Sequence, residues 1–257
     1  MTALHFLDPN PSGNPIVILI HGLGANGTSW GLQFPSLIEA GFRPIAIDAP
    51  GFGGSPYHGK KWKIKDAVKK IAGTMEEINA TDAHFVGISM GSVIAQQFAH
   101  EFPERIRKLV LISSFAMLRP RSVKTWIYFI RRSFRVLFIG LPNQAILVAN
   151  QIFPKPGQDS LRSSLIDTIS STDPRAYRGA MQALAGFDSR KWISEIKSPT
   201  LVLTGSEDTT IPPALQNELA AGIPGSRQVV IQGAGHALTV DHYEYFNFLL
   251  VRFLCEP

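Results

Sequence analysis

The sequence predicts an α/β fold, a mostly parallel central sheet with helices on both faces and an inserted helical cap. Three observations carry that prediction. Short apolar runs recur along the chain and are continuous rather than alternating, which marks strands buried on both faces. Helical patterns stand between most of them, and strands alternating with helices build a parallel sheet covered on both sides. The alternation stops at about Phe115 and resumes at about Thr200, with a mostly helical stretch between.

Taken in order, the expected strands cover residues 16–20, 44–47, 84–86, 108–112, 201–203 and 228–231. The expected helices of this alternating part cover 30–40, 64–79, 93–102, 214–221 and 241–254. In the helical stretch, Val123, Trp126, Ile127, Ile130, Phe134, Leu137 and Phe138 recur at helical spacing. Arg121, Lys124, Arg131, Arg132 and Arg135 are interleaved with them, and Pro142 ends or restarts the helix. Further helices are expected at 144–153, 159–171 and 174–187, the last with Asp173 as its N-cap. Four helices between two strands read as a cap over one edge of the sheet. The expected division is a core of 1–115 and 200–257 and a cap of 116–199.

Composition narrows the classes. A chain of 257 residues that is 45% hydrophobic and 18% charged suits one large folded domain with an inserted subdomain. A net charge of +5 is too small a bias to argue for nucleic acid without a basic motif. Cys255 is the sole cysteine, so neither an intrachain disulfide nor a cysteine metal cluster can form. The stretch from Met1 to Pro9 lacks a basic segment followed by a long apolar one, so the expected location is the cytoplasm. No apolar run reaches the ~18 residues of a membrane span. The basic, aromatic-rich cap helix admits two readings. Its apolar residues face core and substrate with the arginines in water, or its basic face makes a weak contact with an anionic membrane surface.

The chemistry is carried by Gly87-Ile88-Ser89-Met90-Gly91, which reads G-x-S-x-G between an expected strand and an expected helix. A serine on so tight a turn needs glycines on either side. A serine hydroxyl is a poor nucleophile by itself. It needs a base, a group to orient that base, and donors for the oxyanion. Among seven histidines, His236 in Gly233-Ala234-Gly235-His236-Ala237 follows the last strand, on the same sheet edge as Ser89. His21 opens His21-Gly22-Leu23-Gly24 and reads as structural, because the glycines after it are placed to present backbone N–H groups. His5, His58, His84, His100 and His242 read as solvated or packing residues, and no histidines stand at metal-ligand spacing. The acid should also end a strand. Asp208 in Gly205-Ser206-Glu207-Asp208 is the better candidate, with Glu207 beside it as the alternative. Asp48, in a glycine-rich turn, reads as a turn-stabilising residue.

These residues resemble the α/β-hydrolases, whose triad runs Ser…Asp/Glu…His along the chain. Ser89, Asp208 and His236 fall in that order, and the resemblance covers nearly the whole chain outside the cap. It implies that the backbone N–H groups of Leu23 and Met90 hold the oxyanion, that the inserted segment is the lid, and that no metal or organic cofactor is needed. Ser92 departs from many relatives, which carry a further glycine there; its small side chain is expected to be tolerated. Haloalkane dehalogenases and most epoxide hydrolases of this fold use an aspartate nucleophile, so a serine favours acyl chemistry. The expected function is hydrolysis of carboxylic esters of small or medium, partly apolar substrates through an acyl-enzyme. The alternatives are C–C bond hydrolysis of dienoic ring-fission products, enol-lactone hydrolysis with the same triad, and a non-catalytic ligand-binding member of the fold. The expected substrate-binding residues are Trp126, Phe129, Phe134, Phe138 and Phe187, with Tyr128 and Phe153 also aromatic in the cap.

Overall fold

Among the described residues, aliphatic and β-branched runs form six parallel strands, and one short strand is added antiparallel at the edge. The structure is a computed structural model that describes residues 4–59, 61–118, 127 and 140–257. The strands are β1 (Phe6–Leu7), β2 (Ile16–Ile20), β3 (Arg43–Ile47), β4 (Ala83–Ile88), β5 (Ile106–Ile112), β6 (Thr200–Gly205) and β7 (Arg227–Ile231). Their order across the sheet is β1-β3-β2-β4-β5-β6-β7, and only β1 runs antiparallel. The sequence did not announce β1, because two residues carry no periodicity. The other six strands match the expected runs to within a few residues.

Successive side chains of a strand point to opposite faces, and the core is split accordingly. Ile18, Ile20, Phe85, Leu109 and Leu111 enter one apolar cluster with α2 (Ile64–Glu77) and α3 (Met90–Glu101). Val17, Leu19, Val86, Val110 and Ile112 enter another with α1 (Phe34–Glu39) and the carboxy-terminal helix Tyr243–Cys255. The helix expected over 30–40 is broken into a 3-10 turn, Gly27–Trp30, and α1. Pro35, which has no N–H to donate, stands in the first turn of α1. The helix expected over 241–254 likewise begins later, behind the short helix Leu238–Asp241.

Between β5 and β6 the chain forms α4 (Leu141–Ile152), α5 (Asp159–Ser170) and α6 (Pro174–Ala185). Asp173 caps α6 as expected, accepting from the N–H groups of Arg175 and Ala176. Of the expected helix around 121–138, Ile127 is described and is helical; its other residues lie outside the described ones. The buried faces of α4, α5 and α6 (Ala145, Val148, Ile169, Tyr177 and Leu184) share the apolar cluster of α2 and α3 rather than forming their own. The excursion leaves and re-enters the sheet at one point. Met117 bridges Asp188 antiparallel, and the Ser189 N–H donates to the Ala116 carbonyl. Buried Gln96 on α3 fastens both strands of this neck, accepting from Ser189 Oγ at 3.0 Å and donating to the Phe115 carbonyl at 3.2 Å. Following β6, α7 (Pro213–Gly222) precedes β7; α8 (Leu238–Asp241) and α9 (Tyr243–Cys255) complete the chain. Among the described residues no helix is long and apolar enough to cross a membrane.

Candidate active site

Ser89 joins β4 to α3 with φ 53° and ψ −110°, a left-handed conformation that costs a non-glycine residue strain. The turn is possible because the backbone closes on itself where side chains are absent. A Cβ on Gly91 would stand 2.0 Å from the Ile20 carbonyl oxygen, and one on Gly87 would stand 2.4 Å from Gly91. Ser92, the departure from the family pattern, is fully buried and has a specific task. Its hydroxyl donates to the Gly87 carbonyl and accepts from the Ile112 N–H at 2.9 Å. A glycine could not make this tie between β4 and β5.

Asp208 lies in the loop after β6, and its carboxylate is surrounded by donors. Oδ1 accepts from the N–H groups of Thr210 and Ile211 at 2.9 and 2.8 Å. Oδ2 accepts from Gln216 Nε2 at 3.1 Å and pairs with His236 Nδ1 at 2.9 Å. An ionised carboxylate can only accept, so the His236 proton sits on Nδ1 and Nε2 is left as an acceptor. The His236 loop is also held through its main chain, where Ser113 Oγ donates to the His236 carbonyl at 2.9 Å. Glu207, the alternative acid, turns outward to an ion pair with Lys155 at 3.6 Å and makes no bond to His236.

Ser89 and His236 line one cavity of about 630 Å³, with Gly22, Leu23, Phe115 and Ala237 around them. Val148, Ile152, Leu165, Met181 and Leu184 reach it from α4, α5 and α6. Among its described lining residues, His236 is the sole one with a titratable side chain. Leu23 follows β2, and Met90 opens α3 with its side chain in the core. Neither backbone N–H donates to another described group. His21 stays out of the cavity. Burial pushes its imidazole below the ordinary value; Nδ1 donates to the Gly22 carbonyl at 2.8 Å and Nε2 accepts from the Ala49 N–H at 3.0 Å. It is a neutral strut between two strand-end loops. Asp48 holds its turn by accepting from Gly27 and Gly54 N–H groups at 2.6 and 2.8 Å.

Phe187 is a correction. It does not line the cavity but packs edge-on against Phe115 and Trp192 at the neck. A position just beyond α6 falls where the chain turns back to the sheet. Phe153 does line the cavity. Trp126, Tyr128, Phe129, Phe134 and Phe138 lie outside the described residues. Two site residues had no motif to announce them, Ser113 and Gln216. The signal for Gln216 is a buried amide in the apolar register of α7, beside Leu215 and Leu219. Among the described residues no group of three acidic, histidine or cysteine side chains could hold a metal ion.

A family model described as the alpha/beta hydrolase fold matches residues 15–243. The chain belongs to this family. As an α/β-hydrolase it is similar over nearly its whole length to characterised members. It is 26% identical to the 2-hydroxy-6-oxononadienedioate/2-hydroxy-6-oxononatrienedioate hydrolase of Escherichia coli, covering 99% of this chain and 91% of that one. It superposes on the enol-lactonase of Burkholderia xenovorans LB400 with a TM-score of 0.89 at 27% identity, covering 98% and 96% of the two chains. It also superposes on a thermophilic esterase of Thermogutta terrifontis, solved with malate bound, with a TM-score of 0.84 at 26% identity, covering 98% and 92%.

Proposed function

We propose that this α/β-hydrolase cleaves carboxylic esters of small or medium, partly apolar substrates through an acyl-enzyme. One observation carries the reading: a serine on a strained turn and a buried, Asp-paired histidine open into one apolar cavity. Ser89 Oγ attacks the ester carbonyl while His236 Nε2 takes its proton. The Leu23 and Met90 N–H groups, which have no other described acceptor, hold the oxyanion. His236 then gives its proton to the departing alcohol. Water, activated by the same nitrogen, releases the acid. Asp208 keeps the imidazole in the required tautomer and stabilises its charged form.

The second reading is C–C bond or enol-lactone hydrolysis with the same residues. It is supported by the names of the Escherichia coli and Burkholderia relatives. A dienedioate, as named for the first, carries two negative charges, and such a substrate calls for cationic partners. The described lining carries Val148, Ile152, Leu165, Met181 and Leu184, which supports an ester with an apolar acyl or alcohol portion, while the cap's basic residues Arg121, Lys124, Arg131, Arg132 and Arg135 lie outside the described residues. The segment 116–199 then acts as the lid over a cytoplasmic enzyme's site. A weak contact of its basic helix with anionic membranes would appear as co-sedimentation with anionic vesicles at low salt.

A fluorophosphonate probe should label the wild type and leave Ser89→Ala unlabelled. A wild type that resists the probe would point instead to a binding protein. A panel of p-nitrophenyl esters beside an enol-lactone and a dienoic ring-fission product separates the two enzymatic readings. Faster turnover of either of the last two would overturn the ester assignment.

A further inference from the structure

Gln216 sits on α7, fully buried, eight residues after Asp208. Its Nε2 carries two hydrogens and both are used, one to Asp208 Oδ2 at 3.1 Å and one to the Ile211 carbonyl at 2.8 Å. Its Oε1 is buried with no hydrogen-bond partner among the described residues. Turning the amide over would aim that oxygen at a carboxylate and a carbonyl, so the observed orientation is the one the surroundings allow. A buried carbonyl without a donor is destabilising, because it has given up its water without a replacement. Packing alone would be met as well by an apolar side chain in this register of the helix. The amide stands there despite that cost, and what it supplies is a donor on the same oxygen that holds His236.

We infer that Gln216 is a positioning residue for the triad, setting the plane and the charge of Asp208 through Oδ2. This rests on the reading of Ser89, Asp208 and His236 as nucleophile, acid and base. Two backbone N–H groups fix Oδ1 from one side of the loop. Without Gln216, Oδ2 has His236 as its one described partner, and the carboxylate is free to rotate about Oδ1. Its charge is then also less shared, so it stabilises the protonated imidazole more strongly. Among the described residues, the other charged groups near the His236 loop are the Glu207–Lys155 pair, with Lys155 Nζ also donating to the Gly233 carbonyl, and Asp241 bonded to His242. All of these remain in the variants described next.

The test is the pH profile of kcat/KM for Gln216→Met and Gln216→Leu, two apolar shapes for one position, with Asp208→Asn in parallel. Both Gln216 variants should melt within a few degrees of the wild type. Both should lose about tenfold in kcat with KM little changed, and the acid limb of the profile should move to higher pH by about half a unit. A variant that melts lower yet keeps the wild-type kcat and acid limb would make Gln216 structural and overturn the inference. If Asp208→Asn remains fully active, the triad reading itself falls. If Asp208→Asn is inactive while both Gln216 variants behave as wild type, the inference alone falls.

Discussion

The floor and the roof of the cavity are built by opposite means. The floor consists of strand-end loops in which each proposed reacting group is fixed by close backbone contacts or by hydrogen bonds. Ser89 is held by the closeness of Gly87 and Gly91 to their neighbours, Asp208 by four hydrogen bonds, and His236 at both its ring and its main chain. The described part of the roof presents mainly apolar side chains from α4, α5 and α6, with Gln151, Ser164, Thr168 and Gln182 among them. Hydrogen bonds and close backbone contacts fail abruptly when disturbed, whereas apolar packing degrades by degrees. The proposed reacting groups are thus held rigidly and the described roof softly.

The sharpest way to break the floor is Gly91→Ala. The added methyl would enter the Ile20 carbonyl, backbone against backbone, with no flexible atom to yield. We expect a loss of about 3 kcal/mol or more, or no soluble protein, measured by denaturant unfolding. A variant of wild-type stability would mean that the turn can open without cost. The roof should respond differently. Leu165→Ala and Met181→Ala both enlarge the cavity without touching Ser89 or His236. They should leave the melting temperature within several degrees. In the ester panel they should shift the preference from short toward longer acyl chains by about tenfold in relative kcat/KM. An unchanged chain-length profile would place the acyl chain elsewhere.

The smallest effect lies away from the cavity, at the start of β4. Burial pushes the His84 imidazole down to about 4, with Arg107 and Lys108 adding to the shift. In the unfolded chain the same group takes its proton near 6.5. The stability it contributes is therefore full above pH 6.5 and is lost as the pH falls toward about 4. His84→Gln should flatten the unfolding free energy over that window while leaving the profile of kcat/KM unmoved. A slope that persists would assign the acid sensitivity to other groups.

The same contrast explains what could be read from the chain. The parallel strands were legible because burial on both faces leaves continuous apolar runs. Ser89, Asp208 and His236, the proposed reacting side chains, could be singled out because each closes a strand beside glycines or a characteristic turn, and the structure pairs Asp208 with His236 and sets Ser89 and His236 on one cavity. Gln216 was not, since it acts through a fold-back from helix to loop that no spacing rule describes. The roof was legible as helices and not as a surface. Helical periodicity identifies an apolar face without saying whether it meets the cavity or the neck, and Phe187 went to the neck. The strand β1 was too short to show a pattern.

The paired neck at Met117 and Asp188 means that the chain leaves the sheet and returns to the same place. A closed detour of this kind can be lengthened, shortened or exchanged between homologues without moving a strand, because its end points already coincide. The shared apolar cluster sets the opposite condition. A transplanted segment would arrive with half of an interior and would have to match the faces of α2 and α3 that receive it. Such modularity is easy for connectivity and demanding for packing, so new specificities on this scaffold should come more readily by substitution within the roof than by replacing it whole.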